Sequence, residues 1–352
     1  MTVSAAKTWY SDNGPTTDAV FLEHLIKECG EYSSSADVTS CKTMVNCQYR
    51  KIHLDVAQNS ESVQRTCIDI GSCDGPNLNF INELQLSSWS NVTLVDWTKT
   101  TSNYQRDRCV PVEFLVLHHT VTTSAAETLY ILNDHGLSVQ YIAEKNGTMY
   151  QMVHDYYRAW HAGPSHWGET SDMNSHSVGC EIVNTGSEPF PRAQMDGVIA
   201  WSRLMISRWH IDPHNIVGHC DINPHGKNDP SGYFDWKYYY DQLGYYKDIW
   251  PTSLTKEQQK TVLMSESNYD SQQLSSVQTR LRQWGYSGSL AVTYVYDQDT
   301  KNAIQAFNRH WCPEIFVPEK VNDKTNETIT NTNNMKWYRI SEERLGKLLL
   351  TL

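Results

Sequence analysis

The sequence predicts an α/β protein: a mixed central sheet flanked by helices, with a small cysteine-rich module before it and a three-helix bundle after it. Three observations carry this prediction. Between residues 113 and 218, short apolar runs rich in β-branched residues alternate with helical patterns, as expected of strands and helices that share one sheet. Six of the nine cysteines (Cys29, Cys41, Cys47, Cys67, Cys73 and Cys109) lie in the first 110 of 352 residues. Residues 273–352 carry three apolar stripes at helical spacing. The length suits two to three domains, and 39% apolar residues are enough to build their cores. The divisions are a module over 1–105, a central domain over 106–251, a linker over 252–272 and a helical domain over 273–352.

In the first module, residues 18–28 have helical periodicity, and Asn91 to Trp97 alternates like a short strand. Cys41/Cys47 and Cys67/Cys73 are each separated by five residues, wider than the paired cysteines of zinc knuckles. A disulfide framework is the better reading, and it implies an oxidising, extracytoplasmic location. The first residues lack the basic-then-apolar pattern of a signal peptide. Asn91, Asn146 and Asn326 each open an Asn-X-Thr triplet, a pattern common by chance.

In the central domain, residues 113–119 read as a buried strand ending in His118 and His119. Ser124 to Glu127 form a capping box ahead of a helix over 125–134, which Gly136 closes. Strands over 139–143 and 149–153 are joined at Lys145-Asn146-Gly147, a hairpin signal. Residues 177–183 form another strand, and 191–209 a long helix with Pro191 at its start. Ile216-Val217 is a short strand running into Gly218-His219. After the linker, which has an apolar break at 262–264, helical stripes follow at Val277/Leu281/Trp284, Ala303/Ile304/Phe307 and Leu345/Leu348/Leu349. Residues 322–334 are a polar insertion, expected to be a mobile loop.

Lys plus Arg number 29 against 40 Asp plus Glu, a net charge of −11. That argues against a nucleic-acid partner, which needs a basic face. No stretch approaches the ~18 apolar residues of a membrane-spanning helix.

The chemistry gathers at the ends of the central strands. Eleven of fourteen histidines lie between His118 and His225. His118 closes the first strand, His219 follows the last, and Asp229 lies ten residues on in a Pro/Gly-rich loop. Two histidines and a carboxylate from separate segments can hold Zn²⁺ with a fourth position open, an arrangement that suits amide hydrolysis. Glu181 is the candidate to take the proton, and Lys227 to hold a developing oxyanion. Cys180 and Cys220, each beside a site residue, read as buried thiols.

The motifs VLHHT (116–120), AWHAG (159–163), NSHSVGCEIVN (174–184) and IVGHCDINPHGKNDP (216–230) occur in that order. Together they resemble the zinc-dependent N-acetylmuramoyl-L-alanine amidases of the amidase-2 family, which shares its fold with the peptidoglycan recognition proteins. The resemblance covers about residues 103–250. It implies one Zn²⁺ per chain on His118, His219 and Asp229, with Glu181 and Lys227 catalytic. It also implies cleavage of the amide between the lactyl group of N-acetylmuramic acid and L-alanine, so that peptidoglycan or a muropeptide is the partner. His119, His154, Trp160, His161 and Asn174 are candidates to line the substrate groove. The alternative is a non-catalytic peptidoglycan-recognition protein on the same fold, a class that typically loses one or more ligands. Where relatives commonly read Asp-Pro-Gly-Pro, this chain has Asp229-Pro230-Ser231-Gly232, a change expected to reshape the loop and spare the ligand. The order L-x-x-V-Q-x-x-L-x-x-W-G-Y (274–286), then Y-D-x-x-T-x-x-A-I-x-A-F-x-x-H (296–310), resembles the small peptidoglycan-binding domain that accompanies outer-membrane amidases of this group.

Overall fold

The apolar run that opens at Phe114 forms strand β2 (Phe114–His119), and every one of its six residues is buried. Burial on both faces requires a central position, and the sheet order supplies it. The computed structural model describes residues 93–105, 108, 110–155, 157–318, 320–321, 328–329 and 331–352. Within them a six-stranded sheet runs β1 (Leu94–Asp96), β4 (Met149–Gln151), β3 (Tyr141–Ala143), β5 (Ser177–Ile182), β2, β6 (Ile216–Gly218). Only the β3–β4 hairpin is antiparallel; the other four pairings are parallel. The sheet is therefore mixed, as predicted. The six N-terminal cysteines, the pattern at 18–28 and the triplets' Asn91 and Asn326 lie outside the described residues. Edge strand β1 comes from ahead of residue 106, so the sheet begins inside the segment that the sequence divided off as the first module.

Local chemistry explains most boundaries. Helix α1 (Ala125–Asp134) is capped by Ser124, whose Oγ accepts from the Glu127 amide at 3.2 Å. The Glu127 carboxylate reaches back to the Thr123 amide (2.9 Å), one residue short of the reciprocal bond of a capping box. The β3–β4 turn places Gly147 at φ +88°. A Cβ there would also lie 2.5 Å from the Ala193 carbonyl at the start of helix α2 (Arg192–Trp209). Only glycine satisfies both conditions. Helix α2 covers one face of the sheet through Met195, Val198, Ile199, Leu204 and Met205, while Ala125 and Leu132 of α1 join a separate core with Val139, Ile142 and Val183. Beyond β6 come the short helix α3 (His219–Ile222) and helix α4 (Trp236–Leu243).

Downstream, helices α5 (Ser271–Trp284), α6 (Gln298–Trp311) and α7 (Arg339–Leu349) form where the stripes predict them. The apolar break at 262–264 is strand β7 (Val262–Met264), paired antiparallel with β8 (Trp337–Tyr338). That ribbon is an addition to the three expected helices. Its two strands lie over seventy residues apart in sequence, and three-residue runs carry too little periodicity to announce such a pairing. At the polar insertion, Lys320–Val321 just ahead of it pairs with Thr328–Ile329 within it; residues 322–327 lie outside the described set. One continuous apolar core joins the α5–α7 segment to the sheet domain, centred on Trp236, Tyr240, Trp250, Trp284 and Trp311. Among the described residues no helix is long and apolar enough to cross a membrane.

Candidate metal centre

Side chains alternate along a strand, and register partners in neighbouring parallel strands share a face. In the β2–β5 ladder His118 is the partner of Glu181, and Leu117 of Cys180. The ligand and the acid therefore rise from one face of the sheet, and the thiol goes into the core on the other. Strand β6 ends at Gly218, so His219 is carried beside them by α3, and the following loop returns Asp229. The Cys220 amide donates to the Asp229 carbonyl at 2.8 Å, which ties the two ligand segments together.

The result is a triangle of donor atoms. His118 Nδ1 lies 2.9 Å from His219 Nδ1 and 3.1 Å from Asp229 Oδ2, and His219 Nδ1 lies 3.1 Å from the same oxygen. Ligand atoms on a tetrahedral zinc are roughly 3.3 Å apart. All three residues are buried, and among the described residues they are the one group of His, Cys, Asp or Glu drawn close enough to hold a metal. An N, N, O donor set suits zinc.

Hydrogen bonds behind the rings settle which nitrogen faces the triangle. His219 Nε2 lies 3.2 Å from the Ala162 carbonyl, which can only accept, so Nε2 carries the hydrogen and Nδ1 the lone pair. A longer relay does the same for His118. Ser177 Oγ donates to the Met173 carbonyl (2.5 Å) and accepts from His161 Nε2 (3.3 Å). His161 Nδ1 then accepts from His118 Nε2 at 2.9 Å, leaving His118 Nδ1 unprotonated. The His161 ring packs against Gly179, where a Cβ would lie 2.7 Å from it; this is why the strand carries a glycine.

Electrostatics agree with neutral His118 and His161 rings and an ionised Asp229 carboxylate. Burial, then the neighbouring His219, lowers His118 to about 4 against the pull of Asp229. Burial and His118 hold His161 well below the ordinary imidazole range. Burial pushes Asp229 upward, but His219 and His118 more than offset it, and the carboxyl sits well below its usual range. Glu181 goes the other way: burial, then Asp229, pushes it up to about 8, with Lys227 opposing. Its Oε2 is buried and has no hydrogen-bond partner, as fits a group whose partner arrives with substrate. Lys227 is exposed on the loop above.

The remaining sequence candidates divide. Trp160 is half-buried. His119 is buried, its Nδ1 accepting from the Ser231 amide at 3.0 Å; Ser231 and Gly232 are the two residues that depart from the family's Asp-Pro-Gly-Pro. Two expectations need correcting. His161 and Asn174 do not offer their polar atoms to a groove: His161 orients His118, and Asn174 Oδ1 accepts the amides of His161 and Ala162 at 2.9 and 2.8 Å. His154, half-buried, stands edge-on to Tyr157. Cys180 and Cys220 are buried free thiols. Burial and Glu181 raise Cys180 well above its usual range, and burial and Asp221 do so for Cys220; neither is a thiolate ligand.

A family model described as N-acetylmuramoyl-L-alanine amidase, amidase-2, matches residues 108–232. AmiD of Escherichia coli (strain K12), an N-acetylmuramoyl-L-alanine amidase, is 28% identical over 225 residues, spanning 59% of this chain and 78% of that protein. Residues 108–232 are thus similar to the amidase-2 family. A second relative, the 1,6-anhydro-N-acetylmuramyl-L-alanine amidase AmpD of Haemophilus influenzae, is 36% identical over 104 residues, 29% of this chain and 56% of its own. The structure of E. coli AmiD with anhydro-N-acetylmuramic acid-L-Ala-D-gamma-Glu-L-Lys superposes with a TM-score of 0.51 at 25% identity, over 68% of this chain and 89% of the other. The amidase-2 segment thus contains the whole donor triangle and the relay behind it.

The relay yields a prediction. His161→Ala removes the acceptor that fixes the His118 tautomer, and zinc affinity is expected to fall about 10–100-fold. His161→Gln, which can still accept from Nε2, is expected to lose less. Competition with a chromophoric chelator measures both; equal affinity for His161→Ala and wild type would refute the relay.

Proposed function

We propose that this chain cleaves the amide joining the lactyl group of N-acetylmuramic acid to L-alanine, with one zinc on His118, His219 and Asp229. The observation that carries the reading is the triangle of three donor atoms beside an unpartnered Glu181 oxygen. Zinc held there would act as a Lewis acid on the scissile carbonyl and acidify water towards a pKa of ~7. The Glu181 carboxylate accepts a proton from the attacking water and returns it to the alanine nitrogen as the C–N bond breaks. The Lys227 ammonium, whose charge reaches both His118 and Glu181, offsets the negative charge that builds on the carbonyl oxygen. Trp160 is the proposed contact for sugar or stem peptide. All three ligands and both auxiliary residues occur together, which disfavours a binding-only protein.

Around this centre we infer the organisation read from the sequence. Of residues 1–105, the part ahead of strand β1 forms a disulfide-stapled module. Residues 273–352 form a helical unit similar to peptidoglycan-binding domains. The setting is extracytoplasmic, as the clustered cysteines and a cell-wall substrate both favour. The test is mass spectrometry of muropeptides after digestion of purified peptidoglycan. Products are expected to be free stem peptides and peptide-free glycan, lost on chelation and regained on zinc addition. Unchanged release after chelation would overturn the mechanism, and a product cut at another bond would overturn the substrate assignment.

A further inference from the structure

The residue two beyond His219 is a buried carboxylate, and its partners lie in the C-terminal segment. Asp221 is fully buried. Its Oδ2 accepts from the Gly218 amide (2.7 Å) and from His310 Nδ1 (2.7 Å), and its Oδ1 accepts from the Tyr286 hydroxyl (2.7 Å). Tyr286 follows α5, and His310 is on α6. A buried carboxylate needs such partners, since an unpaired one is costly.

Asp221 acts on the metal segment through backbone. Gly218 is the hinge where β6 turns into His219, and Asp221 grips its N–H. The space beside Gly218 is closed: a Cβ there would stand 2.9 Å from Cδ of Pro230, the residue after Asp229, and 3.2 Å from Asp221 Oδ2. His310 is itself held, stacked on Trp236 at 3.6 Å between ring centroids, with Nε2 3.1 Å from the Tyr240 hydroxyl. A third contact backs the Asp229 loop. The ring of Phe316, also from the C-terminal segment, fills the space where a Cβ on Gly232 would lie, at 2.5 Å. Two of the three ligand segments therefore lean on residues beyond 285.

We propose that Tyr286 and His310 are positioning residues of the metal centre: by holding Asp221 they set the backbone that aims His219 into the donor triangle. The C-terminal segment is then part of the scaffold of the metal site as well as a candidate wall-binding unit. This rests on the reading of His118, His219 and Asp229 as metal ligands.

The test uses the full chain and zinc alone as probe, with affinity measured by chelator competition and folding of the metal-free protein followed by circular dichroism. Tyr286→Phe and His310→Ala are each expected to weaken zinc binding about tenfold or more. His310→Asn, which keeps a donor near the Nδ1 position, is expected to recover most of the affinity. KM for a muropeptide is expected to stay unchanged while kcat at limiting zinc falls and returns as zinc is raised. His214→Ala is the control, because His214 bonds the Trp284 carbonyl across the same interface without touching Asp221; it is expected to bind zinc normally. Zinc affinities of Tyr286→Phe and His310→Ala within twofold of wild type would overturn the proposal, as would an equal loss in His214→Ala. If His310→Ala fails to fold, Tyr286→Phe, which lacks only a hydroxyl, decides the matter. A wild-type chain that binds no zinc overturns the metal reading itself, whereas normal wild-type binding with unchanged variants overturns only the coupling.

Discussion

Glu181→Gln is expected to lower kcat for muropeptide hydrolysis by about 10²–10⁴-fold with zinc stoichiometry unchanged. The glutamine keeps the shape of the side chain on β5 and removes its ability to accept a proton. No ligand bond depends on Glu181, so metal content should not move. A variant with a near-normal rate would mean that another group is the base. The same variant carries a proton signature. In the metal-free chain Glu181 is held up to about 8, whereas His118, lowered to about 4, is already neutral at pH 7. A cation at the triangle favours the carboxylate, so metal loading at pH 7 releases the Glu181 proton. Calorimetry in two buffers of different ionisation enthalpy should therefore count about one proton fewer for Glu181→Gln. The sign for stability follows. A carboxyl raised in the folded state stabilises the metal-free fold below the usual carboxylate range, and that contribution is lost as pH rises through about 8. Glu181→Gln should flatten this slope.

Asp229→Ala is expected to abolish both zinc binding and turnover, and it has the larger consequence for the folded protein. Oδ2 is the one anionic oxygen facing two ring nitrogens that lie 2.9 Å apart. Without it only two ligands remain when a cation arrives. Zinc at a thousandfold excess over its Kd stabilises a folded protein by about 4 kcal/mol. The wild-type thermal transition should accordingly rise on zinc addition, and that of Asp229→Ala should stay where it is. Full metal content in the variant, together with a near-normal kcat, would remove Asp229 from the ligand set. His118→Ala is expected to behave the same way by elemental analysis.

The elements that hold the ligands were legible because their signals are local. Strand β2 is a continuous apolar run, the hairpin carries Asn146-Gly147, and α2 repeats its apolar residues at three- and four-residue steps. His118 could be distinguished from His119 only through the motif series; the structure supplies a physical counterpart, since neighbours on a strand face opposite ways and His118 shares its side with Glu181. The roles of His161 and Asn174 were misread as groove contacts. Both stand in a polar motif near the site, and nothing in the motif says whether a side chain points out to ligand or back to a neighbour. Gly179 was the available clue: a glycine inside a buried strand marks a close approach, here by the His161 ring.

By itself, then, the sequence determined the α/β class and the amidase-2 motif series, and it named the five residues proposed for the reaction centre. Residue type and spacing suffice for these, because each ligand sits at the end of an element whose periodicity can be read within a short window. Only the tertiary structure decided which nitrogen of each imidazole faces the donor triangle, and that Asp221 reaches across to Tyr286 and His310. Those relations join residues 43 to 101 positions apart. Hydrogen bonds between distant buried groups are set by how the elements pack, and packing leaves no periodic trace in the chain that supplies them.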